Sequence, residues 1–137
     1  MKNKLGDNNV EGFITHLKSI YAGIPSKIFI KEKEYYYHTV IYLLLKLLKA
    51  DVIEVETQTN QGRVDAVVFT KKYIFIMEFK MNSSEEAIKQ IKSKKYYESY
   101  ISDGREIFFV GIAFDKKIRN IKDYKIVNYE LLMRVIN

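Results

Sequence analysis

Two runs of strand-forming residues meet across a short basic turn, and this constrains the fold more than any other feature of the chain. Val64, Ala66, Val67, Val68 and Phe69 precede Thr70-Lys71-Lys72, and Tyr73, Ile74, Phe75, Ile76 and Met77 follow it. β-Branched and aromatic residues at this density, interrupted by two polar residues, read as a β-hairpin. With Lys71-Lys72 as the loop, Thr70 faces Tyr73, and the same register carried outward sets Asp65 directly against Glu78. Opposed residues of an antiparallel pair share a face, with Cβ atoms about 4.5–5.5 Å apart. Lys80, two residues beyond Glu78, shares that face as well. The expected hairpin thus gathers two carboxylates and an ammonium near its open end.

Like charges placed opposite one another destabilise a sheet unless a cation sits between them. Hard divalent cations such as Mg²⁺ take oxygen ligands, typically one or two carboxylates with water and substrate phosphate completing the shell. A lysine beside such a site can orient a water or offset charge developing on a phosphate. The bland alternative is a solvated outer face on which Lys80 pairs with Glu78. Against it, Val67 and Phe69 share the face of Asp65, and Ile74 and Ile76 share that of Glu78, so the acids continue two apolar stripes.

A chain of 137 residues makes a single domain with one real core. A formal charge of +6 favours an anionic partner, most naturally nucleic acid. With no cysteine, disulfides, thiolate metal sites and cysteine nucleophiles are excluded, and with only His16 and His38 a histidine-rich zinc site is disfavoured. The Met1-Lys2-Asn3-Lys4 start leads into no apolar signal stretch, and the longest apolar run, Val40 to Leu45, falls far short of the roughly 20 residues of a membrane span. A cytoplasmic protein without a membrane partner is expected.

Along the chain, Val10, Phe13, Ile14, Leu17, Ile20 and Tyr21 recur at helical spacing, predicting an amphipathic helix over about 8–23 that stops near Gly23 and Pro25. A second helix is expected from about Lys31 to Lys49, apolar almost all round in its middle. Val52 to Gln58 alternates as a strand, and Thr59-Asn60-Gln61-Gly62 is a turn signal. After the hairpin, Ser83 and Glu86 make a capping-box pattern for a helix running to about Ser102. Ile107 to Phe114 reads as a buried strand, with a weaker strand near Tyr124 to Val127 and a last helix from Asn128. The fold class is α/β: a mixed sheet with an αβββαβ core over about 30–127 and helices on both faces.

Gly62-Arg63-Val64-Asp65, Glu78-Phe79-Lys80 and a following helix with Gln90-Ile91-Lys92 and Lys95-Tyr96, in this order of elements, resemble the PD-(D/E)XK nuclease superfamily. Within it, the chain is most similar to the bacterial family whose nuclease-like domain follows an AAA-ATPase-like region, over roughly residues 10 to 127. Each motif is weak alone and fairly specific in combination. The resemblance implies a restriction-endonuclease-like fold, Mg²⁺ (Mn²⁺ substituting) and DNA as the substrate class. It makes Asp65, Glu78 and the Phe79 carbonyl metal ligands, with Lys80 beside the attacking water. It gives Glu34 a second metal or a metal-bound water, and sets Gln90 at the site or a substrate phosphate. It also leaves open a homodimer, and an ATPase-like partner or preceding region. Val64 stands where the superfamily name has proline. Tyr96 lies six residues after Gln90, off its helical stripe, whereas Lys94 and Tyr97 share that stripe.

Simpler roles exist for several of these. Glu34 would complement the dipole at its helix start, Gln90 would be an ordinary surface residue, and His38 would make a local hydrogen bond. Glu56 is a rival acid: an Asn60-Gln61 loop sets it opposite Asp65, and a bulge would remove it. Arg63, Lys89, Lys92, Lys94 and Tyr97, with Lys95, form a candidate phosphate-tracking surface or a solvated face. Two functional readings follow: a metal-dependent phosphodiesterase acting on DNA, or a catalytically silent nucleic-acid- or protein-binding module on the same fold. No GxxxxGK[ST] loop is present, so the chain itself does not hold ATP in that way.

Overall fold

The computed structural model describes residues 8–24, 39–43, 45, 52–59, 62–81 and 83–136. Five strands form one sheet in chain order: β1 (Val52–Thr59), β2 (Gly62–Thr70), β3 (Tyr73–Met81), β4 (Glu106–Asp115) and β5 (Asn120–Asn128). Only β3 and β4 run parallel; every other pairing is antiparallel. The parallel step is crossed by α2 (Ser84–Lys94) and a short 3₁₀ helix, Tyr96–Tyr100. α1 (Val10–Ala22) opens the described chain and α3 (Tyr129–Ile136) closes it.

The predicted hairpin register is the observed one, with Phe69 on Ile74, Val68 on Phe75, Val67 on Ile76 and Ala66 on Met77. The buried Thr70 hydroxyl closes the turn by donating to the Tyr73 carbonyl and accepting from the Tyr73 N–H. α1 begins at Asn9, whose side chain accepts from the Gly12 N–H at 2.8 Å, and its Val10, Phe13, Ile14, Leu17 and Tyr21 are buried as the periodicity requires. Ser83 caps α2 by accepting from the Glu86 N–H. Residues 39–43 and 45 are helical, with Ile41 and Leu45 in the core. The rest of that predicted helix, including Glu34 and His38, lies outside the described residues.

The sheet is covered on both faces. One face packs Ala66, Val68, Phe75, Met77, Phe108, Val110 and Phe114 against α1 and the 39–45 segment. The other packs Val67, Phe69, Ile74, Ile76, Ile107 and Phe109 against Ile88 and Ile91 of α2 and the 3₁₀ helix. Gly111 brings α2 close to the second face: a Cβ there would lie 2.6 Å from the Ser84 carbonyl oxygen. Gly111 is the register partner of Glu78, so the closest helix–sheet approach falls level with the acid pair.

Two boundaries differ from expectation. The helix after β3 ends at Lys94, not near Ser102, because Lys95 takes a left-handed conformation (φ 54°) and the chain continues as 3₁₀. β5 is longer than expected, beginning at Asn120.

Candidate active site

At the open end of the β2–β3 hairpin the strict ladder gives way. Thr59 pairs Gly62 and Gln58 pairs Arg63, but Glu56 pairs Val67, so a bulge of β2 against β1 spans Val64 to Ala66. Its mark is a break in alternation: Val64 and Val67 belong to one apolar cluster while Ala66 belongs to the other. Bulges of this kind re-aim a side chain and raise local twist. The bulge also settles the rival acid, since Glu56 stands opposite Val67 rather than Asp65.

Asp65 and Glu78 lock this end through their side chains. The Asp65 N–H donates to Glu78 Oε1 at 3.1 Å, and the Phe79 N–H donates to Asp65 Oδ2 at 2.8 Å. Each carboxylate therefore satisfies a backbone donor of the other strand, in place of ladder carbonyls. From α2, Gln90 Nε2 donates to Glu78 Oε2. Tyr96, 3% exposed, lies beside Gln90, whose amide favours the ionised form of its phenol. A chain of contacts thus runs from Tyr96 through Gln90 and Glu78 to Asp65.

Glu78 is 3% exposed. Burial, then the neighbouring Asp65 charge, pushes its pKa up to about 8, against the smaller opposing pull of the Asp65 N–H and of Lys80. The Tyr96 phenol is raised too, first by burial and then by the charges of Glu78 and Asp65, with the Gln90 amide pulling the other way. The site thus concentrates negative charge in a place where ionisation is costly.

The donor set suits a hard divalent cation. Two carboxylates from adjacent strands converge, each oxygen keeps a lone pair beyond its amide contact, and a dication would relieve the repulsion that raises Glu78. Among the described residues no third acid, histidine or cysteine joins them in a cluster. Lys80 is half-buried two residues beyond Glu78 on β3, near enough for its charge to act on that carboxyl.

Asp65, Glu78 and Lys80 share one end of the hairpin as the register implies, and Gln90, placed there by the family resemblance, reaches Glu78 from α2. Phe79 enters through its N–H, and its ring packs in the cluster on the opposite face. Tyr96 is the correction: a continuous helix would carry it off the flank of Gln90, but the turn at Lys95 swings it back. Tyr97 goes elsewhere, its ring packing on Phe109 and Tyr129 at centroid distances of 5.5 and 5.2 Å. Lys89 and Lys94 are exposed on α2 and Lys92 is half-buried. Arg63 lies in β2 opposite Gln58.

The mixed α/β sheet with helices on both faces is a restriction-endonuclease-like fold, and the comparison of sequences agrees. The chain belongs to the PD-(D/E)XK nuclease superfamily, whose model matches residues 32–124. A curated relative, "Uncharacterized protein in vnfD 5'region" of Azotobacter chroococcum mcd 1, is 29% identical over 121 residues. That alignment covers 83% of this chain but 23% of the relative, so the chain spans about a quarter of that protein's length. No solved structure matches.

Proposed function

We propose that the protein is a metal-dependent nuclease that hydrolyses phosphodiester bonds in DNA, with Asp65, Glu78 and Lys80 at its centre. The observation that carries this reading is the reciprocal locking of two opposed carboxylates at the end of an apolar face, where two acids would otherwise only destabilise the hairpin. Asp65, Glu78 and the Phe79 carbonyl would hold Mg²⁺ or Mn²⁺, and Glu34 would add to that shell. The cation would supply charge neutralisation at the phosphoryl oxygen and a more acidic water.

The protein's own residues do the rest. Gln90 fixes the Glu78 carboxylate through Oε2, and the buried Tyr96 packs beside Gln90. Lys80 faces the same patch, where its ammonium can hold the attacking water and offset charge developing on the phosphate. Lys89, Lys92 and Lys94 on α2, with Arg63, offer contacts to flanking phosphates. Cutting both strands of a duplex would call for two such sites, from a homodimer or from an ATPase-linked assembly in the cytoplasm.

The test is cleavage of single- and double-stranded DNA in Mg²⁺ or Mn²⁺ by the wild type and by Glu78→Ala and Lys80→Ala. Expected is a loss of at least about a thousandfold in each variant, with circular dichroism unchanged. Full activity in either variant removes this assignment. A wild type that binds no Mn²⁺ by titration calorimetry and cuts nothing points instead to a silent binding module.

A further inference from the structure

The β4–β5 turn carries a second feature at the same end of the sheet. β3 and β4 run parallel, with Lys80 on Ala113 and Met81 on Phe114, so the turn that follows Asp115 projects beyond the edge that holds the acid pair. It reads Lys116-Lys117-Ile118-Arg119, with both lysines exposed and Ile118 60% exposed at the tip.

Three cations packed into four residues repel one another, and a turn that tolerates this normally supplies neighbouring acids. Here the nearby acids are otherwise engaged. Asp115 Oδ1 accepts from the Lys117 N–H at 2.7 Å. Asp123 Oδ2 accepts from the Ser84 hydroxyl, and Asp123 Oδ1 accepts from the Tyr124 N–H. Among the described residues no carboxylate forms an ion pair with Lys116, Lys117 or Arg119.

The turn is also held firmly. Arg119, in a left-handed conformation (φ 55°), donates its N–H to the Asp115 carbonyl at 2.9 Å. The Asn120 side chain donates to the Lys18 carbonyl of α1, and Phe114 and Ile121 are buried on either side. A register shift at Ala113/Phe114 leaves Lys122 as an extra, exposed residue of β5. The turn's backbone is therefore pre-set and loses little freedom on binding.

We infer that the Lys116–Arg119 turn is a nucleic-acid clamp, in which the cations grip the phosphate backbone and Ile118 enters the minor groove. This rests on the nuclease reading above and deepens it by naming where the substrate is held. Counting about 3.3 Å per residue along the strand and about 4.8 Å per strand across it, the tip lies about 15–20 Å from the acid pair. At about 3.4 Å per base pair that is roughly five base pairs from the point of cleavage. Phosphate contacts from lysine and arginine give affinity without sequence, and an exposed aliphatic tip flanked by cations is the form taken by minor-groove wedges. A membrane surface would also attract such a turn, but a turn that projects beyond the same end of the sheet as the acid pair serves a substrate that reaches both.

The test is anisotropy of a labelled DNA duplex across a salt series, in EDTA so that no cleavage intervenes. Variants are the pair Lys116→Gln with Lys117→Gln, and separately Ile118→Ser; Mn²⁺ titration of each is run alongside. The double variant should weaken binding at least tenfold at low salt and lower the slope of log affinity against log salt by about 2, at about 0.9 per phosphate contact. Ile118→Ser should weaken binding severalfold with the slope unchanged. Mn²⁺ binding should be wild-type in all. Wild-type duplex affinity in the double variant overturns the clamp while leaving the nuclease reading standing. A wild type that binds Mn²⁺ but no duplex overturns the clamp as well. Lysine-dependent binding to phosphatidylserine vesicles in place of DNA overturns it in favour of a membrane surface.

Discussion

The two ends of the β2–β3 hairpin solve the same problem with different chemistry. At the turn, a neutral hydroxyl, Thr70, satisfies the backbone of Tyr73. At the open end, two carboxylates, Asp65 and Glu78, satisfy the backbones of Phe79 and Asp65. A hydroxyl or an amide could have done either task. Where carboxylates do it, with Glu78 3% exposed and Asp65 half-buried beside it, the fold carries a desolvation cost that a neutral group would avoid.

The largest effect separating the two ends should be pH. Glu78, raised from 4.5 to about 8 in the fold, holds its proton more tightly folded than unfolded. Its contribution to stability is therefore fully present below about 4.5 and is lost as pH rises to about 8. Denaturant melts of metal-free protein should show the wild type losing a few kcal/mol relative to Glu78→Gln across that window. Mn²⁺ affinity should climb over the same range as the proton is displaced. A flat difference between wild type and Glu78→Gln would show that the acid end carries no more charge cost than the turn.

Next in size is Gly111→Ala. Its Cβ would meet the Ser84 carbonyl at 2.6 Å and the Ala87 Cβ at 3.0 Å, against backbone that cannot give way cheaply. We expect about 1–3 kcal/mol of destabilisation in urea melts. Mn²⁺ binding should weaken with it, since α2 carries the Gln90 that holds Glu78. Stability lost with metal affinity intact would separate the helix from the site.

The smallest is Thr70→Val at the neutral end. Removing a buried hydroxyl that bridges two backbone groups should cost about 1–2 kcal/mol and leave Mn²⁺ binding and cleavage unchanged. An effect on the metal would mean that the two ends are coupled along the strands.

Much of this was readable beforehand because it rests on local rules. Lys71-Lys72 punctuates two β-rich runs sharply enough to set the register from Phe69–Ile74 to Ala66–Met77, and hence the opposition of Asp65 and Glu78. Asn9 and Ser83 mark helix starts by their capping chemistry. The β2 bulge is open to either reading, because Thr59 does pair Gly62 and the slip comes only beyond Gln58. The place of Tyr96 was hidden for a different reason. Lys95 adopts a left-handed conformation that sequence assigns to glycine or asparagine, and what holds it there is tertiary: burial of Tyr96 and packing of Tyr97 on Phe109. The turn lysines and Ile118 look like an ordinary polar loop until the parallel β3–β4 pairing sets them at the same end as the acids.

Asp65, Glu78, Lys80, Gln90 and Tyr96 all come from one continuous stretch: a hairpin and the helical segment that follows it. The contacts that build the site span short distances in the chain, so they can form early and together, before the outer elements α1 and β5 dock. Such a unit behaves as a portable cassette. Its acids, its amide and the backbone groups they hold are all supplied from within that one stretch.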